Sequence, residues 1–296
     1  MKKTAVLFLL FTIYYSLFTA AHAAETPKRI ISMAPSLTEM LFALGLGDNI
    51  IGVTNFCDFP EDAKKKPKIG GMSNPSLEAV ISLKPDIVVV TTDGNPKEVE
   101  ERLRSLKIKT YVFRARRLGE LPGGIRDLGA AMGVRERAEK LARDIENSLS
   151  KFKVRSQENS ELRTPNSELN SSLVSRPLLL RKKVIFIIWP EPLIVAGPGT
   201  LIDDAIRLLD NENIASRAKA AYPKYSIEEI IHQAPDVIII GSQMGQDIRE
   251  VSQRVLKKMT MVPAVKNGKV FYVSDGLYRL GPRVIKGIEE LAGCLN

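Results

Sequence analysis

One stretch of this chain occurs twice. Residues 76 to 90 read SLEAVISLKPDIVVV and residues 226 to 240 read SIEEIIHQAPDVIII, at a constant offset of 150 residues. Ser76 matches Ser226, Glu78 matches Glu228, Ile81 matches Ile231, Pro85 matches Pro235 and Asp86 matches Asp236. Each copy offers a serine N-cap, a short amphipathic helix, a Pro-Asp break and a β-branched run. Proline cannot continue a helix, and an uninterrupted apolar run suits a strand buried on both faces. The repeat therefore predicts a helix feeding a parallel-type strand, once in each half of the molecule.

The flanks of the two copies correspond as well. Arg29 to Ser32 predicts a strand, and Ser36 is expected to open a helix through Leu46, with Glu39 completing a capping box. In the second half Lys183 to Ile188 predicts a strand, and Thr200 opens a helix through Leu209. Thr110 to Phe113 and Val270 to Val273 read as further strands. Strands alternating with helices imply two α/β lobes. Between them, Arg135 to Val154 places Ala138, Leu141, Ala142, Ile145, Leu149 and Phe152 at helical spacing, which predicts a stiff connecting helix. Residues 156–180 break the pattern: Asn159-Ser160-Glu161-Leu162 recurs as Asn166-Ser167-Glu168-Leu169 in a Ser/Asn-rich segment, read as a solvated loop.

Met1 to Ala23 reads as a secretory signal. Lys2 and Lys3 form the basic n-region, an apolar run follows, and Ala21-His22-Ala23 supplies the small residues of a cleavage site. No Cys stands at that point, so a lipid anchor is not expected. The organisation is then signal 1–23, N-terminal lobe 24–122, connecting helical segment 123–155, loop insert 156–182 and C-terminal lobe 183–296. A free, exported, monomeric protein of a Gram-negative periplasm is expected.

The formal charge of +9 suggests nucleic acid as a partner. Losing Lys2 and Lys3, and no acid, takes it from +9 to +7. The remaining bases are dispersed over Lys64-Lys65-Lys66, Arg114 to Arg117, Arg181 to Lys183 and Lys257-Lys258, without interleaved aromatics, so no nucleic-acid partner is expected. Two Cys and two His exclude a Cys-rich zinc module and leave little for a His-based metal site, so no metal is expected. Cys57 and Cys294 are read as free thiols, although an oxidising compartment would allow them to pair. After cleavage His232 is the sole histidine, and its place in the repeated helix makes it a surface residue, not a general base.

Ligand loops of open α/β sheets lie at strand ends. Here these are Met33 to Ser36, Asn55 to Pro60, Gly70 to Ser73, Thr91 to Gly94, Trp189 to Pro192 and Ser274 to Arg279. Aromatics in such loops give broad contact with a planar ligand, and for Phe56 and Trp189 a ligand role and local packing are both open readings. Phe59, beside Pro60, reads as packing. Ala196 to Thr200 lacks the Lys and the glycine spacing of a nucleotide loop and reads as a structural turn. Glu78 and Glu228 either complement helix dipoles or present a pseudo-symmetric acid pair to a two-fold partner. No nucleophile–base or metal motif points to an enzyme.

Taken in order, RIISMAPSLTEMLFALGLGDNIIGVTNFCDFP, the two repeat copies, WPEPLIVAGPGTLIDDAIRLLDNENIA and SDGLYRLGPR give the chain its family likeness. It resembles the periplasmic solute-binding proteins of cobalamin and ferric-siderophore ABC importers, and most closely the cobalamin-binding branch. The resemblance implies two Rossmann-like α/β lobes joined by a single long α-helix, with a ligand cleft between them and modest closure. It implies no reaction and no cofactor. The ligand would be a corrinoid or a similar planar chelate, with a ferric siderophore or haem as the alternative. Pro35, Ser36, Phe56, Met72, Thr91, Trp189, Tyr222, Asp275 and Arg279 would line the cleft. Glu78 and Glu228 would dock onto the permease dimer of the inner membrane. Met72 and Thr91 stand where the best-known cobalamin binder carries tryptophans, and only Arg279 is a clear cleft cation for an anionic siderophore.

Overall fold

The computed structural model describes residues 26–161, 181–241 and 248–295. The signal segment and most of the 156–182 insert lie outside the described residues. The first lobe runs β1 (Ile30–Ser32), α1 (Pro35–Ala43), β2 (Ile50–Val53), α2 (Glu61–Lys64), α3 (Leu77–Ser82), β3 (Ile87–Thr91), α4 (Lys97–Ser105) and β4 (Thr110–Phe113). Its strands are parallel in the order β2-β1-β3-β4. Helices α5 (Leu121–Ala131) and α6 (Arg135–Glu161) follow.

The second lobe contains β5 (Lys183–Pro190), β6 (Leu193–Val195), α7 (Leu201–Leu208), β7 (Glu212–Asn213), α8 (Ile227–Gln233) and β8 (Val237–Gly241). It ends with α9 (Ile248–Lys257), α10 (Pro263–Lys266), β9 (Val270–Val273) and α11 (Val284–Leu295). The sheet order is β6-β5-β8-β9, with β7 also on β5; β6 is antiparallel to β5 and the other pairs are parallel.

The repeat folds as its pattern requires. β3 and β8 are buried along their whole lengths. Ser76 Oγ accepts from the Ala79 N–H at 3.2 Å, and Ser226 Oγ accepts from the Glu229 N–H at 3.1 Å. These are N-caps, each satisfying a helix-end donor that would otherwise lack a partner. The repeated aspartate has its own use. Asp86 Oδ2 accepts from the backbone N–H groups of Lys28 and Arg29, both at 2.9 Å, and Asp236 Oδ2 accepts from the Lys183 N–H at 2.8 Å. Each aspartate thus ties the start of the neighbouring strand to the start of its own.

Three boundaries differ from expectation. α1 begins at Pro35, not Ser36, because proline's fixed φ suits the first helical position. Its N-cap residue, Ala34, makes no side-chain cap, and Glu39 takes no part in a capping box. Its carboxylate binds Arg279 and Arg283 instead. α1 ends at Ala43, three residues short of Leu46. The connecting segment is two helices, with a turn at Gly133, whose φ of 70° is left-handed and favours glycine. The longer helix, α6, extends through Glu161, into the first part of the expected loop.

One apolar core crosses both lobes. It joins Ile30, Leu37, Met40 and Phe113 of the first lobe, Leu128 and Ala142 of the helical hairpin, and Phe186, Ile239, Val284 and Leu291 of the second. Smaller clusters cover the outer face of each sheet.

Candidate ligand cleft and exposed helix faces

The parallel strands bring their C-terminal ends to one edge of each sheet. A cavity of ≈ 90 Å³ lies where the two edges meet. Asp93 and Arg116, from the loops after β3 and β4, line it on one side. Thr200, Tyr222 and Tyr278 line it on the other. This volume is well below the ~300 Å³ at which enclosed ligand pockets usually begin, so any large ligand would lie mainly in the open mouth above it. Tyr222 is 55% exposed. Its phenol is pushed above the usual tyrosine range, by desolvation first and the Asp93 carboxylate second, with Arg116 acting the other way. The Tyr278 hydroxyl is buried, without a hydrogen-bond partner among the described residues.

The first-lobe edge is organised by Asn95. Its Oδ1 accepts from the Thr91 N–H at 2.8 Å, and its Nδ2 donates to the carbonyls of Met33 at 2.9 Å and Met72 at 3.0 Å. One side chain thereby holds three strand-end segments together. Phe56, at 56% exposure, stands beside the Gly71-Met72 turn, and the Met72 methyl packs on Gly94. Phe56, Met72, Asp93 and Tyr222 therefore follow one another across the mouth. Thr91 is buried; it lines a neighbouring cavity of ≈ 320 Å³ with Asn95, Lys97 and Arg114.

Four expected cleft residues are not among those lining the ≈ 90 Å³ cavity and lie at the seam between the lobes. Pro35 is buried at the start of α1, and the Ser36 carbonyl faces Gly281 of the second lobe. Arg279 Nη1 binds Glu39 Oε1 at 2.9 Å and Asp58 Oδ1 at 2.8 Å. Arg283 binds Glu39 at 2.7 Å and Asp275 at 3.2 Å, and stacks over Phe59 at 4.6 Å. Arg279 and Asp275 are thus engaged inside the protein, where charge needs partners because burial strips its water. A second clamp joins Arg117, bidentate, to Asp204, which also accepts from the Leu118 N–H at 3.0 Å.

Trp189 lies at the end of β5, packed against the outer cluster of the second lobe, with its indole N–H donated to the Glu191 carbonyl at 2.7 Å. Gly197 and Thr200 form the expected turn: a Cβ at Gly197 would meet the Ala220 carbonyl at 2.5 Å, and Thr200 Oγ1 caps α7. Cys57 and Cys294 are both free thiols, Cys57 buried against Thr38 and Thr54. Among the described residues no group of acids, His or Cys could hold a metal ion, and no helix is long and apolar enough to cross a membrane.

Sequence reading missed Asn95, Arg116 and the partners of Glu39. Nothing local marks them; they gain their roles from strand order. It also missed the full pattern around the paired acids. Glu78 and Glu228 are exposed, and three residues on, Ile81 and Ile231 are 47% and 39% exposed. Each lobe therefore presents the same acid-plus-isoleucine face on one turn of helix.

A family model described as periplasmic binding protein matches residues 30–276. The chain is 28% identical over 279 residues to a vitamin B12-binding protein of Pectobacterium atrosepticum, covering 94% of this chain and 91% of that one. Among solved structures it is similar to the periplasmic vitamin B12 binding protein of Vibrio cholerae, with TM-score 0.74 and 24% identity over 92% of this chain and 97% of that one. A periplasmic heme binding protein from Pseudomonas aeruginosa gives TM-score 0.76 at 23% identity, covering 91% and 92%.

Proposed function

The chain belongs to the periplasmic binding protein family, and we propose that it captures a corrinoid of the cobalamin type and delivers it to an ABC importer. The observation that carries the ligand class is the pair Phe56 and Tyr222. They are large aromatics, each more than half exposed, one from each lobe: Tyr222 lines the cavity, and Phe56 stands beside the Gly71-Met72 turn. Exposed aromatics at a concave site favour a broad, partly apolar ring. The near-full-length likeness to vitamin B12-binding proteins supports the same ligand. The protein itself performs no reaction. Export would remove Met1–Ala23 and leave a soluble monomer in the periplasm.

Haem or a ferric siderophore is the second reading, favoured by the similarity to heme-binding folds. Against it, Arg279 and Arg283 are engaged with Glu39, Asp58 and Asp275, and the cation that lines the cavity, Arg116, shares it with the acid Asp93. Calorimetric titration with cobinamide, cyanocobalamin and haemin decides. The corrinoids are expected to bind with Kd below roughly 1 μM; binding no tighter than about 1 mM would overturn the reading.

Glu78 and Glu228 would contact a two-fold permease, with Ile81 and Ile231 as the apolar part of each contact. Replacing both acids by alanine is expected to leave corrinoid affinity intact and to abolish uptake in cells. Normal uptake by that double variant would remove the docking role.

A further inference from the structure

Two side chains in the cleft have opposite charge and, among the described residues, no ion-pair partner. Asp93 and Arg116 line the same cavity as Tyr222, yet among the described residues no ion pair joins them to each other or to a third group. The neighbouring Arg117 shows the alternative, since its guanidinium is clamped to Asp204. Among the described residues the exposed Arg116 engages its backbone N–H, donated to Glu120 Oε2 at 2.8 Å. Asp93 likewise uses its backbone N–H, donated to Thr91 Oγ1 at 3.1 Å. The cavity therefore offers one strong acceptor, one strong donor and the Tyr222 phenol, which can do either.

We propose that Asp93 and Arg116 form a specificity subsite that reads primary amides on the edge of the bound ring. An amide presents an NH2 donor and a carbonyl acceptor from one carbon, so it can serve Asp93 and Arg116 without adding charge. A ligand carboxylate would gain Arg116 but stand beside Asp93, and a ligand ammonium would meet the reverse. Like-charge juxtaposition is how an interface rejects a near-identical partner. The penalty grows as the ring covers the cavity and excludes water. The inference rests on the corrinoid reading and deepens it: the edge of a cobinamide carries primary amides, whereas haem carries carboxylates.

The test uses the purified chain, calorimetry at low salt, and two rings with the same corrin: cobinamide, edged with amides, and cobyrinic acid, edged with carboxylates. The net positive charge of the chain would by itself favour the acid, so a preference for the amide has the opposite sign to a general charge effect. The wild type is expected to prefer cobinamide by roughly tenfold or more. Asp93→Asn should tighten cobyrinic acid and narrow that ratio, and Arg116→Gln should weaken cobinamide. Asp93→Ser repeats the test should the Asn variant fold poorly, with circular dichroism as the control. Equal affinity of the wild type for the two rings, or a ratio unchanged by either Asp93 substitution, overturns the subsite while leaving the corrinoid reading intact. Failure of both rings to bind overturns the corrinoid reading and the subsite with it.

Discussion

At Ala234 the backbone takes φ 49° and ψ 62°, a left-handed conformation that a Cβ resists by roughly 1–2 kcal/mol. The equivalent position in the first repeat copy, Lys84, has φ 45°. Both precede the repeated proline, and both end a helix by turning the chain back toward the sheet. Glycine adopts this region freely but costs more unfolded-state entropy. Ala234→Gly is therefore expected to stabilise the protein by about 0.5–1 kcal/mol, read from urea unfolding, and a net loss would contradict the strain. At this scale much of the molecule was legible: the caps Ser76, Ser226 and Thr200 follow from residue type and position. Asn95 was not legible. Its three bonds reach Met33, Met72 and Thr91, which only the strand order brings together. The ion pairs of Arg279 were not legible either, because its partners Glu39 and Asp58 come from the other end of the chain.

The elements named by the repeat were legible because two periodicities and a proline agree in both copies. α1 was harder, since Pro35 and Ser36 each make a plausible start and tertiary contacts claim Glu39. The helical hairpin adds an ionic device that its sequence did not announce. Arg126 of α5 binds Glu139 and Glu146 of α6, both at 2.7 Å, and Arg143 also binds Glu139 at 2.6 Å. Glu139 is held at about 2 instead of 4.5, chiefly by the hydrogen bond from Arg126 and next by that from Arg143. A carboxyl depressed in the folded state stabilises above its unfolded pKa and loses that contribution as pH falls through the folded value. The window therefore runs from about 4.5 down to about 2. Arg126→Met should move the Glu139 titration up toward 4.5, followed by NMR of the side-chain carboxyl carbon, and should flatten the pH dependence of stability in that window. A titration still near 2 in this variant would show that Arg143 suffices.

Across the whole molecule, two kinds of contact hold the lobes together. The apolar core is continuous from the first sheet through the hairpin to the second. The Glu39 cluster and the Arg117–Asp204 clamp add charge contacts across the same seam. A shared core resists large rigid-body opening, because separating the lobes would expose apolar surface at roughly 25 cal/mol per Å². That favours modest closure around a ligand over a wide hinge. It also sets what removal of the buried charge should do. Glu39 has 2% side-chain exposure, and neutralising it removes the most buried carboxylate that Arg279 and Arg283 share, leaving the more exposed Asp58 and Asp275 beside them. Breaking a buried ion pair from one side typically costs several kcal/mol. Glu39→Gln is therefore expected to lower Tm by roughly 5–10 °C in scanning calorimetry. The transition should stay single, because the core still couples the lobes when the ionic cluster is weakened. Two resolved transitions in the variant would mean that the charges, not the shared core, make the two lobes one cooperative unit.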